Sequence, residues 1–215
     1  MNTQDYFKTR LEHDKRRSSV WHVLADFIQP HIPKSSILLE LGSGYCDFIN
    51  AIHAREKHAL DTFTELGNYA QKDIITHIMP ASKITQFDDE QFDVVFASNF
   101  FEHIEMNECE TVLAQVYRIL KYHGKIIILQ PNFKYGYKEY FDDYTHKTIF
   151  THISFSDILK KNGFTIQKII KKLLPFSIKK NLPKSSFLLW FYIRSPIRPF
   201  ACQMFIVAEK QQKKR

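Results

Sequence analysis

Short apolar runs alternate with longer amphipathic stretches along the chain, and this alternation predicts the fold. Runs rich in Ile, Val and Leu without polar alternation are typical of strands that are covered on both faces. Five such runs lie at residues 36–41, 58–61, 73–79, 92–98 and 124–131, and two further strands are predicted at 164–170 and 201–210. Strands that alternate with helices in this way predict a doubly wound α/β sheet.

Helix signals lie between these strands. Asn107 and Glu110 have the spacing of a capping box, and the apolar positions that follow share one face up to Gly124. A second helix is predicted from about Ser154 to Asn162, and a covering helix over residues 5–29. The length of 215 residues suits one domain, with a basic, aromatic insertion at about 171–200 before the last strand.

The strand at 36–41 leads into a turn whose residues are Gly42, Ser43, Gly44 and Tyr45. Glycine lets the backbone turn tightly and approach a ligand closely. A dinucleotide signature would place a third glycine at position 47, but the chain has Asp47 there and Glu40 before the turn. Two carboxylates disfavour a pyrophosphate and favour a positively charged cofactor such as S-adenosylmethionine (SAM). A structural turn that binds no ligand is the alternative.

An acidic residue is expected at the end of the second strand, where it would bind ribose hydroxyls. Asp61 lies seventeen residues after Gly44 and fits this position. An aspartate that only caps a helix is the alternative. The spacing of Asp61 after the glycine turn favours the cofactor role.

With these residues identified, the chain resembles the class I SAM-dependent methyltransferases. The resemblance covers residues 36–131 through "LLELGSGYCDF", "ALD", "FDVVFASNFFEHI" and "VYRILKYHGKIIIL". It looks most similar to small stand-alone bacterial methyltransferases of glycan and natural-product pathways. The resemblance implies a Rossmann-like, three-layer α/β/α fold whose seven-stranded sheet has an antiparallel last strand. It also implies SAM as cofactor, with S-adenosylhomocysteine as product.

The resemblance further implies roles for single residues. Glu40, Gly42 and Gly44, with Ser43 and Tyr45 in the same turn, would line the methionine end of SAM, and Asp61 would hold the ribose. Two departures stand out: Cys46 replaces a small residue, and "HIMPASKI" lacks the aspartate that meets the adenine amine in many members. Adenine would then be held by apolar stacking or backbone contacts around Met79, Pro80 and Ala81.

Ligands bind beyond the carboxyl ends of the strands in open α/β sheets. The fourth strand ends there in a polar group of Ser98, Asn99, Glu102 and His103, of which we assign Ser98 and Asn99 to cofactor binding. A neutral imidazole can accept a proton from a hydroxyl acceptor near pH 7, so His103 is the first candidate for a general base. A histidine that only caps the connection into the next helix is the alternative.

The long loop after the fifth strand contains a second polar group, made of Asp142, Asp143, Tyr144 and His146. His146 is the other candidate base, whereas for Asp143 and Tyr144 we favour a structural role. We predict no metal site; a site formed by Asp142, Asp143 and His146 is a minor alternative. Two interpretations are open for the N-terminal helix. It either brings Tyr6, Arg10 or Arg17 to the SAM carboxylate or only covers the sheet, with its charged side chains in solvent.

The net charge of +7 comes from the C-terminal part, since residues 158–208 contain ten Lys or Arg and no Asp or Glu. Three interpretations remain open for the basic insertion. It is a core-packed element with solvated lysines, a docking element for an anionic membrane or a lipid-linked phosphorylated substrate, or an RNA-binding element. Nucleic acid is the least favoured partner, because no known nucleic-acid module is present.

The sequence thus predicts methyl transfer from SAM to a small-molecule or saccharide-like acceptor, at oxygen rather than nitrogen. An RNA methyltransferase and a noncatalytic SAM-binding adaptor are the alternatives. The three cysteines are odd in number and far apart, which fits neither disulfides nor a zinc site. No secretory segment is recognised, and a cytoplasmic location is expected, with peripheral contact at the inner membrane face as a variant.

Overall fold

A computed structural model describes residues 15–176 and 185–211 of the chain. Its centre is a seven-stranded sheet in the order β3-β2-β1-β4-β5-β7-β6. The strands are β1 (Ile37–Leu41), β2 (Glu56–Asp61), β3 (Ile74–Ile78), β4 (Phe92–Ser98), β5 (Leu120–Pro131), β6 (Phe164–Pro175) and β7 (Ala201–Lys210). The strand order reverses between β1 and β4, so a crevice opens where their carboxyl ends diverge.

The sheet is mixed, and its last strand is antiparallel. β1 pairs in parallel with β2 and β4, β2 with β3, and β4 with β5. β7 inserts between β5 and β6 and is antiparallel to both. This arrangement confirms the predicted Rossmann-like fold with seven strands.

Helices cover both faces of the sheet and create two separate cores. The helices are α1 (Lys15–Ile28), α2 (Asp47–Ala51), α3 (Met106–Ile119), α4 (Phe133–Gly136), α5 (His152–Lys161) and α6 (Ser186–Arg194). One core contains buried residues of α3 and α5, and the other contains buried residues of α1, α2 and α6. β1, β4 and β5 contribute buried residues to both cores, which explains why these strands lack polar alternation.

Several local predictions were wrong in detail. α3 begins at Met106 after Glu105 and has no side-chain cap, so Asn107 and Glu110 form no capping box. A capping box lies instead at Thr151 and Ser154, before α5. α3 also ends at Ile119 rather than near Gly124, because Leu120 is fully buried and already pairs with β4.

The predicted N-terminal helix is described only from residue 15 onwards, and residues 5–14 lie outside the described part. The predicted insertion at about 171–200 begins inside β6, which runs to Pro175, and contains α6. Residues 177–184 of the insertion are not among those described. Within residues 15–176 and 185–211, no helix has the length and hydropathy that crossing a bilayer requires.

Candidate active site at the carboxyl ends of the strands

The glycine turn after β1 adopts a left-handed backbone at two glycines. Gly42 has φ +69° and Gly44 has φ +52°, backbone conformations that residues other than glycine rarely adopt. The carbonyl of Leu60 on β2 accepts hydrogen bonds from the N–H groups of Gly42 (2.8 Å) and Ser43 (3.1 Å). A Cβ added at Gly42 would lie 2.8 Å from the ring of Phe100. The turn is therefore held against both β2 and the segment after β4.

Asp61 connects the end of β2 to this turn. Its Oδ2 accepts the N–H of Gly44 at 2.8 Å, and its Oδ1 accepts the N–H of Phe63 at 3.0 Å. Burial raises the pKa of Asp61, and the hydrogen bonds from Gly44 and Phe63 oppose that rise. A carboxylate has about four acceptor positions, so both oxygens can still accept hydroxyl groups of a ligand.

Glu40 lies at the end of β1 with its side chain almost fully buried. Its Oε2 has no hydrogen-bond partner among the described residues. Burial raises the pKa of Glu40 well above its ordinary value, and the nearby carboxyls of Asp47 and Asp61 add to this effect. A buried carboxylate without a partner is costly unless a cation or a donor meets it. Glu40 therefore fits the ammonium group of an amino-acid-like cofactor.

A second group of side chains follows β4, at the same edge of the sheet. Asn99 has φ +47°, its N–H donates to the carbonyl of Leu129 at 2.8 Å, and its side-chain amide donates to Ser98 Oγ at 3.2 Å. This left-handed residue turns the chain into a short 3₁₀ turn, Phe101–His103. The turn places Glu102 and His103 next to the loop that follows β5.

His103 is held in one tautomer by a chain of hydrogen bonds. The hydroxyl of Thr145 donates to Asp143 Oδ1 at 2.6 Å, so its oxygen must accept from His103 Nδ1–H at 2.9 Å. Nε2 is then the nitrogen with the lone pair. Burial, together with the neighbouring His146, lowers the pKa of His103 to about 4. The imidazole is therefore neutral at physiological pH.

His146 has the same tautomer. Its Nδ1 lies 2.6 Å from the carbonyl oxygen of Tyr140, and a carbonyl can only accept, so Nδ1 carries the proton. The rings of His103 and His146 lie 4.9 Å apart between centroids. The structure thus brings together the two histidines that the sequence identified as separate candidates.

Glu102 is the third member of this group and is fully buried. Neither carboxylate oxygen has a hydrogen-bond partner among the described residues. Burial raises the pKa of Glu102 to about 8, and the nearby Asp143 contributes to the rise. One ligand atom each of Glu102, His103 and His146 lies within 4.8 Å of the others. The sequence placed Glu102 at this edge but gave no signal for its burial.

Sequence comparison finds one family similar to part of this chain. The family described as "Methyltransferase domain" matches residues 39–128, which include the end of β1, the glycine turn, Asp61 and the 3₁₀ turn after β4. The match agrees with the resemblance to class I SAM-dependent methyltransferases and covers less than half of the chain. The comparison with curated proteins gives no match.

Solved structures of other proteins share the fold of this chain. A SAM-dependent methyltransferase from Archaeoglobus fulgidus has 21% identity and a TM-score of 0.70, with 97% of this chain and 99% of that chain covered. A SAM-dependent methyltransferase from Methanosarcina mazei has 16% identity and a TM-score of 0.63, with 87% and 98% covered. Geranyl diphosphate methyltransferase in complex with SAM has 11% identity and a TM-score of 0.65, with 88% and 85% covered. At these identities the likeness is one of fold.

SAM is the cofactor that the sequence predicts, and similar solved structures are described as SAM-dependent methyltransferases. The predicted SAM-binding residues Glu40, Gly42, Ser43, Gly44, Tyr45, Asp61, Ser98 and Asn99 lie in the glycine turn or at the ends of β1, β2 and β4. One observation indicates that these residues fit SAM. Glu40 provides a buried acceptor atom, Oε2, that has no hydrogen-bond partner among the described residues. Their individual contacts with SAM stay predictions.

Asp47 plays a different part from the one predicted. It is the first residue of α2, and its Oδ2 accepts a hydrogen bond from Arg17 Nε at 3.0 Å. Both side chains are largely buried, so much of the negative charge at Asp47 is balanced by α1. Asp47 therefore disfavours a phosphate less than its sequence position suggests. Of the three N-terminal candidates for the SAM carboxylate, Arg17 binds Asp47, and Tyr6 and Arg10 lie outside the described residues.

The loop after β5 differs from its predicted arrangement. Asp143 has a structural role, because it accepts both the N–H of Thr145 at 3.0 Å and its hydroxyl at 2.6 Å. Tyr144 does not tie the loop down by burial, since its side chain is 61% exposed. Asp142 is exposed and is not in the group formed by Glu102, His103 and His146. Thr145, which orients His103, was missed because a lone threonine in a loop gives no sequence signal.

The expected adenine region is apolar. Ala81 is buried, Met79 packs against the same core, and the N–H of Met79 donates to the carbonyl of Asp61 at 3.0 Å. The backbone after β3 is thereby fixed next to the end of β2. Apolar contact with the adenine around Met79, Pro80 and Ala81 stays a prediction.

Proposed function

We propose that this chain is a class I SAM-dependent methyltransferase and that it transfers the methyl group of SAM to an oxygen atom of a small-molecule or saccharide-like acceptor. The supporting observation is the pair of imidazoles at the carboxyl end of β4, each of which has its Nδ1–H bonded within the protein. The hydrogen bond to Thr145 fixes His103, and the hydrogen bond to the Tyr140 carbonyl fixes His146. In these tautomers Nε2 is the ring nitrogen that carries the lone pair.

This chemistry suits a hydroxyl acceptor. SAM, when bound, supplies an electrophilic methyl group on a sulfonium. An oxygen–methyl bond forms as the sulfur–methyl bond breaks, and the hydroxyl proton must leave the acceptor. A site that weakens the hold of the hydroxyl on its proton therefore accelerates transfer at oxygen. A neutral amine already has its lone pair and needs such help less, so the histidine pair favours oxygen over nitrogen.

Orientation of the acceptor by the surrounding residues supplies a further part of the acceleration. The short turn after β4 and the loop after β5 are joined through the backbone carbonyl of Glu102, which accepts from Lys147 N–H at 2.8 Å and Thr148 N–H at 3.2 Å. These bonds hold the two histidines in a fixed relation to each other. We also propose a cytoplasmic location, in keeping with Cys46, Cys109 and Cys202, which are buried free thiols.

The test is an activity screen with methyl-tritiated SAM against fractionated cell extract. We expect label in a small-molecule or saccharide fraction, and about a hundredfold less label with His103→Asn, because a positioned group that assists removal of the hydroxyl proton contributes a factor of this order. His53→Asn, on the exposed turn after α2, is the matched control. Label only in ribonuclease-sensitive material would instead establish the RNA alternative. Calorimetric SAM binding without label in any fraction would favour a noncatalytic protein.

A further inference from the structure

We infer that Glu102, His103 and His146 form a binding site for one divalent transition-metal ion. The two histidines and the carboxylate come from the turn after β4 and the loop after β5, which are joined by the hydrogen bonds of Lys147 and Thr148 to the Glu102 carbonyl. One ligand atom of each lies within 4.8 Å of the others. An ion with bonds of about 2.1 Å holds neighbouring ligands about 3 to 4 Å apart, so small side-chain rotations complete the site.

The hydrogen bonds around the histidines support this inference. Histidines that bind metals usually donate their other ring N–H to a carboxylate, a carbonyl or a similar acceptor, which fixes the tautomer and the ring orientation. His146 does so through Tyr140 O, and His103 does so through Thr145 and then Asp143. In both rings the nitrogen with the lone pair is Nε2, the atom that would bind the ion.

Glu102 provides the independent observation. Its side chain is fully buried, and both oxygens lack a hydrogen-bond partner among residues 15–176 and 185–211. Burying an unpaired carboxyl group is unfavourable, and folded proteins meet that cost by pairing it or by binding a metal. A cation between Glu102 and the two imidazoles would satisfy the group.

The donor set indicates the class of ion. Two imidazole nitrogens and one carboxylate suit Zn²⁺, Mn²⁺, Fe²⁺ or Co²⁺, whereas Mg²⁺ and Ca²⁺ prefer oxygen donors. Three protein ligands leave coordination positions for an oxygen of the acceptor. This consequence rests on the proposed function: a bound ion lowers the pKa of a coordinated hydroxyl, so the acceptor would be a compound whose reacting hydroxyl, with a neighbouring oxygen, can bind the ion.

Metal binding is tested without any acceptor. The full-length protein is freed of metal with a chelator and titrated with Co²⁺, followed by its visible absorption, and then with Zn²⁺ in competition. We expect saturation at one ion per chain. Glu102→Gln and His146→Asn should each weaken Co²⁺ binding by about a hundredfold, a loss that affinity arithmetic equates with 2.7 kcal/mol. The matched controls are Glu105→Gln, with an exposed side chain next to the site, and His53→Asn.

The outcomes separate the site from the proposed function. Absence of saturable Co²⁺ and Zn²⁺ binding by the folded wild type, or equal affinity in Glu102→Gln, would overturn the metal site and leave the methyl-transfer screen unaffected. Saturable binding that these two substitutions weaken and the controls do not would establish the site, even if the screen found no methylated product. Circular dichroism and SAM calorimetry on each variant verify folding.

A second inference rests on a different part of the molecule. We propose that the α6 surface, formed by Phe187, Leu188, Trp190, Phe191, Ile197 and Phe200, docks on an anionic lipid bilayer. Leu189 and Ile193 of α6 point into the core shared with α1, while Phe187 is 71% and Phe191 is 63% exposed. In the turn that follows, Ile197 and Phe200 are 79% and 77% exposed. Large apolar side chains grouped in this way mark an interaction site.

Charge argues for lipid as the occupant. The guanidinium of Arg194 lies 4.4 Å from the centre of the Trp190 ring, and Arg198 holds the Ile193 carbonyl at 3.0 Å. Lys171 and Lys172 are exposed on the adjoining strand β6. Basic and aromatic side chains together suit the interface of anionic membranes, where each Lys or Arg near the surface contributes about 1 kcal/mol. α6, with nine residues, is too short to span a bilayer.

Vesicle sedimentation tests this surface. We expect the protein to pellet with phosphatidylcholine vesicles that contain phosphatidylglycerol but not with phosphatidylcholine alone, and salt should weaken binding. The double variant Phe187→Ser, Phe191→Ser should reduce binding at least about tenfold, because two aromatic side chains leave the lipid. The matched control is Ile75→Ser, Ile78→Ser, which removes two exposed apolar side chains from β3, at the other edge of the sheet.

Three results would overturn lipid docking. The first is vesicle binding that does not depend on the anionic lipid, or that is equal in the double variant and the wild type. The second is a dimer in solution that the double variant abolishes, which would make a second copy of the chain the occupant. The third is RNA retention on filters that depends on the same two phenylalanines, without vesicle binding.

Discussion

The backbone N–H of Gly44 donates to Oδ2 of Asp61 at 2.8 Å, so the acidic residue expected to bind ribose also fixes the glycine turn. The two expected contributors to the cofactor site are therefore one structural unit. The alternatives of a structural and a cofactor role for Asp61 do not exclude each other, because one carboxylate can accept several donors at once.

Asp61→Asn is expected to weaken both folding and SAM binding. The amide nitrogen of Asn cannot accept, so the N–H of Gly44 or of Phe63 would lose its acceptor, at a cost of about 1 to 3 kcal/mol. SAM affinity should fall about tenfold or more, as loss of 1.4 kcal/mol implies. Urea unfolding and SAM calorimetry measure the two effects. Asp88→Asn is the exposed control, and unchanged SAM affinity in Asp61→Asn would contradict the assignment.

Gly42→Ala is expected to disrupt the glycine turn, whereas Gly67→Ala is not. Gly42 has φ +69°, and the new Cβ would lie 2.8 Å from the Phe100 ring; a Cβ at Gly67 meets nothing within 4 Å. The left-handed backbone alone costs an alanine about 1 to 2 kcal/mol. Thermal unfolding and SAM calorimetry should therefore show a lower unfolding temperature and weaker SAM binding for Gly42→Ala only. Equal behaviour of the two variants would contradict a packed turn at Gly42.

Glu40 is expected to make the stability of the SAM-free protein depend on pH. Burial raises its pKa in the folded state, so between the ordinary value and the raised one the folded chain keeps a proton that the unfolded chain has released. The free energy of unfolding therefore falls as pH rises through that range. Glu40→Gln should make this slope shallower, leaving the contributions of Asp61 and Glu102, and should gain about 1 to 3 kcal/mol near pH 8, the cost of a buried unpaired group.

Urea unfolding from pH 5 to pH 8 measures the slope, and the exposed Glu65→Gln is the control. The same Glu40→Gln protein should bind SAM more weakly, because the acceptor for the ammonium group has lost its charge. Parallel pH curves for Glu40→Gln and wild type would show that Glu40 does not titrate between the folded and unfolded states.

Thr145→Val is expected to release the tautomer of His103. Valine keeps the shape of threonine but offers no acceptor to Nδ1–H, which the Thr145 oxygen meets at 2.9 Å. Long-range nitrogen-15 spectra of the metal-free protein at pH 7 should show protonated Nδ1 at His103 and His146 in wild type, and mixed tautomers at His103 alone in the variant. The exposed Thr111→Val is the control. A tautomer unaffected by Thr145→Val would show that Thr145 does not position His103.

The sequence by itself determined the fold and the position of the glycine turn. Apolar runs without alternation predicted the buried strands, and Gly42, Gly44 and Asp61 predicted a turn that suits SAM, because these signals depend on local backbone geometry and on short spacings. The sequence was less successful at element ends: Leu120 belongs to β5 rather than to α3, since pairing with β4 outweighs helix propensity.

Only the tertiary structure decided the chemistry at the edge of the sheet. His103 and His146 are 43 residues apart in the chain, and their tautomers depend on Thr145 and on a Tyr140 carbonyl that no pattern relates to them. The burial of Glu102, whose carboxyl oxygens have no hydrogen-bond partner within residues 15–176 and 185–211, and the pairing of Asp47 with Arg17 likewise arise from segments distant in sequence. Such contacts result from the packing of loops against the sheet, which hydrophobic periodicity does not encode.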